Sequence, residues 1–133
     1  MIDDLQKVIV DTSVFVDFFR GRSLPAFQDL LLNDSIILSS FVKLEILQGV
    51  RKEETKQVGN LLGGIKTVPF RQELFTIGER LLFKIKGKGL TVGLVDLFIA
   101  AEALILDYPV YSFDNIFHKL AQLQLIKVFH SHS

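Results

Sequence analysis

Short apolar runs that alternate with helical segments constrain the fold of this chain more than any other feature. Each run has three or four residues, many of them β-branched, which is the length of a strand and too short for a buried helix. The expected strands cover residues 8–10, 35–38, 65–68, 109–112 and 126–129. Strands separated by helices are typical of a parallel sheet covered on both faces, so we expect an α/β fold.

The segments between these runs have the residue spacing of helices. The expected helices cover residues 13–20, 24–32, 41–50, 53–62, 72–85, 94–106 and 117–123. Gly21 is expected to end the first helix, and Ser23 and Pro25 to start the second as N-cap and first-turn residue. Ser39 or Ser40 is a candidate N-cap for the third helix. The helix 94–106 is almost wholly apolar, which predicts burial.

Length and composition exclude several classes of protein. The 133 residues favour a single domain over residues 1–133, and the 49% of hydrophobic residues excludes a disordered chain. The absence of cysteine excludes disulfides and thiolate metal sites and fits a cytoplasmic location. The acidic start "MIDDLQK" is unlike a signal peptide, and no apolar stretch reaches the roughly 20 residues of a membrane span.

The net charge favours no particular partner. The chain has 15 basic and 15 acidic residues, so its formal net charge is zero. A nucleic-acid partner would therefore have to be held by a local basic patch or by metal ions.

Four acidic residues stand where an ordinary surface carboxylate would not. Asp11 directly follows the first apolar strand, and Asp114 follows the fourth. Asp96 begins the apolar helix in "GLVDLFIAAEAL", and Glu45 has apolar neighbours in "FVKLEILQGV". Sites in parallel sheets lie outside the carboxyl ends of the strands, so we expect these side chains to gather there.

Each of these residues also has a plainer interpretation. Asp11 could simply end a strand, and Glu45 could belong to a buried ion pair or to an exposed stripe of its helix. Asp96 and Asp114 could be N-caps, because Asp is a preferred residue there. The combination favours a site, because clustered carboxylates repel one another unless a cation lies between them. Oxygen ligands without cysteine or a histidine cluster suit Mg²⁺ or Mn²⁺.

The same segments resemble the PIN-domain ribonucleases, in particular the VapC-type toxins of VapBC toxin–antitoxin pairs. The resemblance covers nearly the whole chain, and the order and spacing of the motifs fit. The segments are "VIVDTSVFVDFFRG", "SSFVKLEILQGV", "GLVDLFIAAEAL" and "VYSFDNIFHKLA". The resemblance implies a PIN-like three-layer α/β/α sandwich with a central, mainly parallel sheet.

The resemblance also implies a set of functional residues. The acidic positions of the family motifs correspond to Asp11, Glu45, Asp96 and Asp114, which would be the catalytic and metal-binding residues for Mg²⁺ or Mn²⁺. The hydroxyl positions correspond to Ser13 and Ser112, which would contact substrate or phosphate. The last motif departs from the family pattern, which often has two polar or acidic residues near its final Phe, whereas "SFDNIFHKL" has Asp114, Asn115 and His118.

The implied activity is hydrolysis of phosphodiester bonds in single-stranded RNA by a type II toxin. The implied partners are a cognate antitoxin, the RNA substrate and a second copy of the chain in a homodimer, with no membrane. Alternatives are a PIN-domain nuclease of RNA processing without an antitoxin, or a PIN-like scaffold that only binds. Haloacid-dehalogenase phosphatases fit less well because they need a second Asp at the position of Ser13, and "TVPF" lacks the Asp of a phospho-receiver domain.

Two further features have open interpretations. The basic segments "KIKGKG" (84–89) and "FRGR" (19–22) could line an RNA groove or be solvated turns. The twelve phenylalanines are expected to be mostly core, and any that are exposed on the first two helices could form the dimer face.

Overall fold

A four-stranded parallel sheet forms the centre of the molecule. The computed structural model describes residues 6–130, so most of the acidic N-terminal segment lies outside the described residues. The strands are β1 (Val8–Val10), β2 (Ile36–Leu38), β3 (Lys66–Thr67) and β4 (Val110–Tyr111). Their order in the sheet is β3-β2-β1-β4, and every neighbouring pair is parallel. The chain therefore builds the sheet to one side of β1 and then returns to its other side.

Within the described residues, seven α-helices connect and cover these strands. They are α1 (Thr12–Phe19), α2 (Pro25–Leu32), α3 (Ser40–Gly49), α4 (Thr55–Gly63), α5 (Glu73–Gly87), α6 (Leu94–Leu106) and α7 (Asn115–Gln122). Every residue of β1 and β2 is buried. Successive side chains of a strand point to opposite faces, so the sheet is covered on both sides. The predicted three-layer α/β/α arrangement is confirmed.

Some predicted boundaries were wrong. Leu24 rather than Ser23 is the N-cap of α2, and its apolar side chain provides no capping hydrogen bond; Pro25 occupies the first helical position, as predicted. The predicted helix 53–62 begins as a 3-10 turn, Lys52–Glu54, before α4. The predicted last strand is only a bridge between Val128 and Val110. Ser39 is confirmed as the N-cap of α3, since it accepts a hydrogen bond from the backbone of Phe41.

The phenylalanines of the first two helices belong to the core. Phe15 and Phe27 are fully buried and meet edge to face at 5.4 Å. Phe18 and Phe19 are half-buried and pack against this core. None of the four is exposed, so α1 and α2 do not offer the phenylalanine face that was expected for a dimer.

The expected burial of α6 holds for only part of its surface. Leu97, Ile99 and the alanines 100, 101 and 103 are buried, whereas Leu94 and Leu104 are exposed. Within residues 6–130, no helix combines the length and the apolar character needed to cross a lipid bilayer.

Candidate metal centre

Asp11 lies at the point where the order of the sheet reverses. It directly follows β1, and its backbone N–H donates to the carbonyl of Tyr111 at the end of β4 (2.9 Å). Parallel sheets bind ligands in the crevice at such a switch point. The Asp11 side chain is only 2% exposed and makes no capping bond to α1, although it stands at the N-cap position. Its carboxylate is therefore directed to other partners.

Two serine hydroxyls hold the Asp11 carboxylate in place. Ser112 donates to Asp11 Oδ2 at 2.7 Å, and Ser13 donates to the same oxygen at 3.0 Å. Each hydroxyl also accepts a backbone N–H, Ser112 from Asp114 (2.9 Å) and Ser13 from Phe113 (3.0 Å). These bonds tie the start of α1 to the loop between β4 and α7. The structure thus places Ser13 and Ser112, predicted to contact substrate or phosphate, on the Asp11 carboxylate.

Three of the four predicted carboxylates converge. One oxygen from each of Asp11, Asp96 and Asp114 lies within 4.8 Å of the others. Asp96 is not an N-cap, because Gly93 holds that position of α6 and Asp96 lies in the first turn. Asp114 does hold the N-cap position of α7, but its side chain makes no capping hydrogen bond. We call this group of three residues the acidic cluster.

Glu45 lies beside the acidic cluster but outside the group of three converging carboxylates. It is exposed on α3, and its Oε1 accepts a hydrogen bond of 2.6 Å from Thr12 at the start of α1. Its charge still raises the pKa values of Asp96 and Asp114. The negative charge of Glu45 thus acts on the acidic cluster electrostatically. The hydrogen bond from Thr12 holds the Glu45 side chain in position. The sequence analysis did not consider Thr12, although its place directly after Asp11 could have drawn attention to it.

Burial and mutual repulsion raise the pKa values of Asp96 and Asp114. Burial, followed by the charges of Asp11, Asp114 and Glu45, raises the pKa of Asp96 from its ordinary 3.8 to about 6. The pKa of Asp114 is raised by burial first, and then by the charge of Asp11. Both shifts mean that the protein favours the neutral form when no cation compensates the negative charge.

The donor set fits a hard divalent cation. The converging atoms are all carboxylate oxygens, and the chain has no cysteine that would favour a softer metal. Mg²⁺ and Mn²⁺ prefer such oxygen ligands and would remove the repulsion within the acidic cluster.

Glu102 is a buried carboxylate that the sequence analysis missed. It lies on α6, and its Oε1 has no hydrogen-bond partner within the described part of the chain. Burial raises its pKa, and a hydrogen bond with the Ser39 side chain opposes that rise. Its position inside the apolar run "FIAAEALIL" was the signal for burial. It lines a cavity with Val68 and Arg71, away from the acidic cluster.

A groove of about 1010 Å³ opens beside Glu45. It runs between α1 and the α3–α4 pair. Its walls combine apolar and charged side chains, including Phe18, Phe19, Val50, Val58 and Leu61 with Arg20, Arg51 and Glu54. The groove therefore offers a partly apolar surface that includes Glu45.

Comparison with known proteins identifies the family of this chain. The chain is 28% identical over 107 residues to ribonuclease VapC1 of Methanocaldococcus jannaschii, which covers 80% of this chain and 74% of that protein. It is also 28% identical over 132 residues to ribonuclease VapC of Rickettsia bellii, which covers 91% and 96% of the two chains. Its fold is similar to a chain of the DNA-bound VapBC structure from Salmonella typhimurium, with a TM-score of 0.80 at 17% identity over 94% of this chain and 98% of that one. The family profile described as PIN domain matches residues 8–123, and the chain therefore belongs to the PIN domain family.

Proposed function

We propose that this chain is a Mg²⁺-dependent endoribonuclease that cleaves single-stranded RNA and acts as the toxin of a type II toxin–antitoxin pair. The convergence of three carboxylate oxygens at the switch point of the sheet carries the proposal. Curated relatives of the family named ribonuclease VapC support the nuclease assignment. The resemblance to a VapBC structure supports the assignment to a toxin–antitoxin pair.

In this proposal, Asp11, Asp96 and Asp114 hold Mg²⁺ or Mn²⁺, and Glu45 adds negative charge from the side. When bound, the ion would neutralise charge on the scissile phosphate and lower the pKa of water. Ser13 and Ser112 fix the direction of the Asp11 carboxylate, because both donate to its Oδ2. Water is the expected nucleophile and the 3′ oxygen the expected leaving group, so the P–O3′ bond breaks and the products should carry 5′-phosphate and 3′-hydroxyl ends.

The experiment pairs metal binding with cleavage. Calorimetry at neutral pH should show Mg²⁺ or Mn²⁺ binding to the wild type and weaker binding to Asp11→Asn. Cleavage of a single-stranded RNA pool should follow the same order and stop in EDTA. Asp29→Asn, which removes an exposed carboxylate of α2, is the matched control. Equal metal binding by Asp11→Asn would remove Asp11 from the ligand set, and RNA left intact by the wild type would refute the nuclease.

We also propose that an antitoxin tail occupies the groove beside Glu45 and places an arginine on the acidic cluster. The groove has apolar walls for the tail, and a guanidinium forms paired hydrogen bonds with carboxylates. Co-expression with the product of the neighbouring gene should give a stable complex that no longer cleaves RNA. If the chain cleaves RNA but never forms this complex, it would be a nuclease of RNA processing without an antitoxin.

The remaining expectations concern the whole chain. We propose that residues 1–133 form one PIN domain and that two copies associate into a homodimer. The exposed phenylalanines that support self-association lie on α5 and before it, rather than on α1 and α2.

A further inference from the structure

A cation and an aromatic ring meet at the rim of the acidic cluster. The guanidinium carbon of Arg22 lies 5.1 Å from the centre of the Phe113 ring. Phe113 stands between Ser112 and Asp114, and its backbone N–H donates to Ser13, which in turn bonds to Asp11. Arg22 comes from the basic segment 19–22, whose role the sequence left open. This contact brings that segment to the edge of the candidate metal centre.

The end of α1 determines where Arg22 lies. Gly21 adopts a φ of +88°, in the left-handed region that favours glycine. The N–H of Gly21 bonds to the carbonyl of Phe18, and the N–H of Arg22 bonds to the carbonyl of Asp17, both at 3.0 Å. This pair of bonds is the Schellman arrangement for ending a helix. The backbone of Arg22 is therefore fixed by the sequence of the turn.

The side chain of Arg22 is fixed as well. Its Nη1 donates to Asp17 Oδ2 at 2.6 Å, while the guanidinium lies over the Phe113 ring. The side chain remains 60% exposed, so the ion pair is screened by water and contributes little stability. A guanidinium has five N–H donors, and the bond to Asp17 uses only one of its three nitrogens. Arg22 is thus held in one orientation with donors that solvent can reach.

We infer that Arg22, positioned by the ring of Phe113, binds a phosphate of the RNA strand next to the acidic cluster. This inference rests on the proposed function. A polyanion that approaches three carboxylates and Glu45 is repelled unless cations lie close by, and Arg22 supplies one at the rim. A guanidinium binds phosphate oxygens through two parallel hydrogen bonds, and its fixed orientation reduces the entropy that binding would cost.

The test is the rate of RNA cleavage in Mg²⁺ at several salt concentrations. Arg22→Ala should raise KM about tenfold, the loss expected for a charge-assisted hydrogen bond, with little change in kcat. The slope of log kcat/KM against log salt should fall by about 0.7, the value for one phosphate contact on a single strand. Arg22→Lys should retain the slope, because it keeps the charge. Phe113→Leu alone should also raise KM. In the double variant with Arg22→Ala, KM should be no higher than in Arg22→Ala alone, because the ring acts through the arginine.

Lys127→Ala is the matched control. Lys127 also forms an ion pair, with Asp107 at 2.8 Å, but Asp107 precedes β4 and so lies at the opposite edge of the sheet. This variant should leave KM and the salt slope unchanged. If Arg22→Ala behaves like Lys127→Ala, or lowers kcat at constant KM, the inference is wrong while the nuclease assignment stands. If the wild type cleaves no RNA, the proposed function fails, and this inference fails with it.

Discussion

Asp96 is the residue at which a metal-binding role can best be distinguished from an ordinary role in a helix. Its carboxylate lies in the first turn of α6, where a negative charge favours the helix, yet burial and three neighbouring carboxylates raise its pKa to about 6. Between its ordinary value of 3.8 and about 6, the folded protein binds more protons at Asp96 than the unfolded chain does. The stability of the metal-free protein should therefore fall as the pH rises through this interval.

We expect Asp96→Asn to keep the fold and lose activity. The substitution removes a charge from the repelling acidic cluster, so the Tm in EDTA at pH 7 should be unchanged or higher. RNA cleavage in Mg²⁺ should fall by orders of magnitude, because a metal ligand is lost. The decrease in Tm between pH 4 and pH 6 should also become shallower than in the wild type. Near-wild-type cleavage by a well-folded Asp96→Asn protein would contradict a catalytic role for this residue.

Ser112 links two members of the acidic cluster. Its hydroxyl donates to Asp11 and accepts from the backbone N–H of Asp114. Ser112→Ala should lower the free energy of unfolding by about 1–3 kcal/mol, because a buried carboxylate loses a donor. The rate of RNA cleavage should also fall, since the Asp11 carboxylate is no longer held in one orientation.

Two matched variants test this role of Ser112. Ser112→Thr keeps the hydroxyl and should restore most of the activity. Ser35→Ala removes another buried hydroxyl, next to β2 at the opposite edge of the sheet, and should leave cleavage unchanged. If Ser112→Ala and Ser112→Thr cleave RNA equally well, the hydroxyl does not position Asp11.

At the scale of single elements, α6 carries both a residue of the acidic cluster, Asp96, and a second buried carboxylate, Glu102. Asp96 begins the helix, and Glu102 is buried near its middle with one unpartnered carboxylate oxygen among the described residues. Because burial raises the pKa of Glu102 above 4.5, this residue should reduce stability as the pH rises above that value. Burial of Glu102 therefore disfavours its charged form.

Glu102→Gln should stabilise the protein at pH 7 by about 1 kcal/mol, or a few degrees of Tm, because the buried group no longer has to lose a proton. The gain should disappear below about pH 4.5, where glutamic acid is neutral in both the folded and unfolded states. Thermal unfolding between pH 4 and pH 8 measures the difference. Glu79→Gln, which changes an exposed residue of α5, is the control. It should leave the Tm unchanged at both pH 4 and pH 8. A constant gain at every pH would show that packing, rather than charge, is responsible.

Local patterns were enough to predict most of the elements and the three residues of the acidic cluster. Asp11 and Asp114 follow strands, and carboxyl ends of parallel strands share an edge, so their meeting followed from the periodicity alone. The observed bounds of α6 are the predicted ones, because its apolar run is too long to be a strand. The contact between Arg22 and Phe113 joins residues far apart in the sequence, and no period or motif indicates such a pair. The predicted last strand shortened to a single bridge with Val110, since an apolar run alone does not show how many of its residues pair with a neighbour.

At the scale of the whole molecule, one row of aromatic rings reaches the surface without a covering element. Phe41 stacks on Phe98 at 4.9 Å, Phe75 meets Phe98 edge-on at 5.7 Å, and Phe70 meets Phe75 at 5.7 Å. Phe70 and Phe75 are 64% and 57% exposed. Exposed apolar patches of this kind mark interfaces, and a formal net charge of zero offers little repulsion between two copies. The row begins on α3, which also carries Glu45, so a dimer formed here would place two candidate sites near one interface.

We expect this row of rings to hold the proposed homodimer together. Phe75→Asp should convert the dimer to a monomer, because two buried carboxylates would face one another across the symmetry axis of the interface. Sedimentation velocity over a range of concentrations measures the mass of each species. Leu32→Asp is the control, since Leu32 is 84% exposed on α2 and lies outside the row of rings. A wild type that remains monomeric at high concentration would refute the dimer. A dimer that survives Phe75→Asp but dissociates with Leu32→Asp would place the interface on α2 instead.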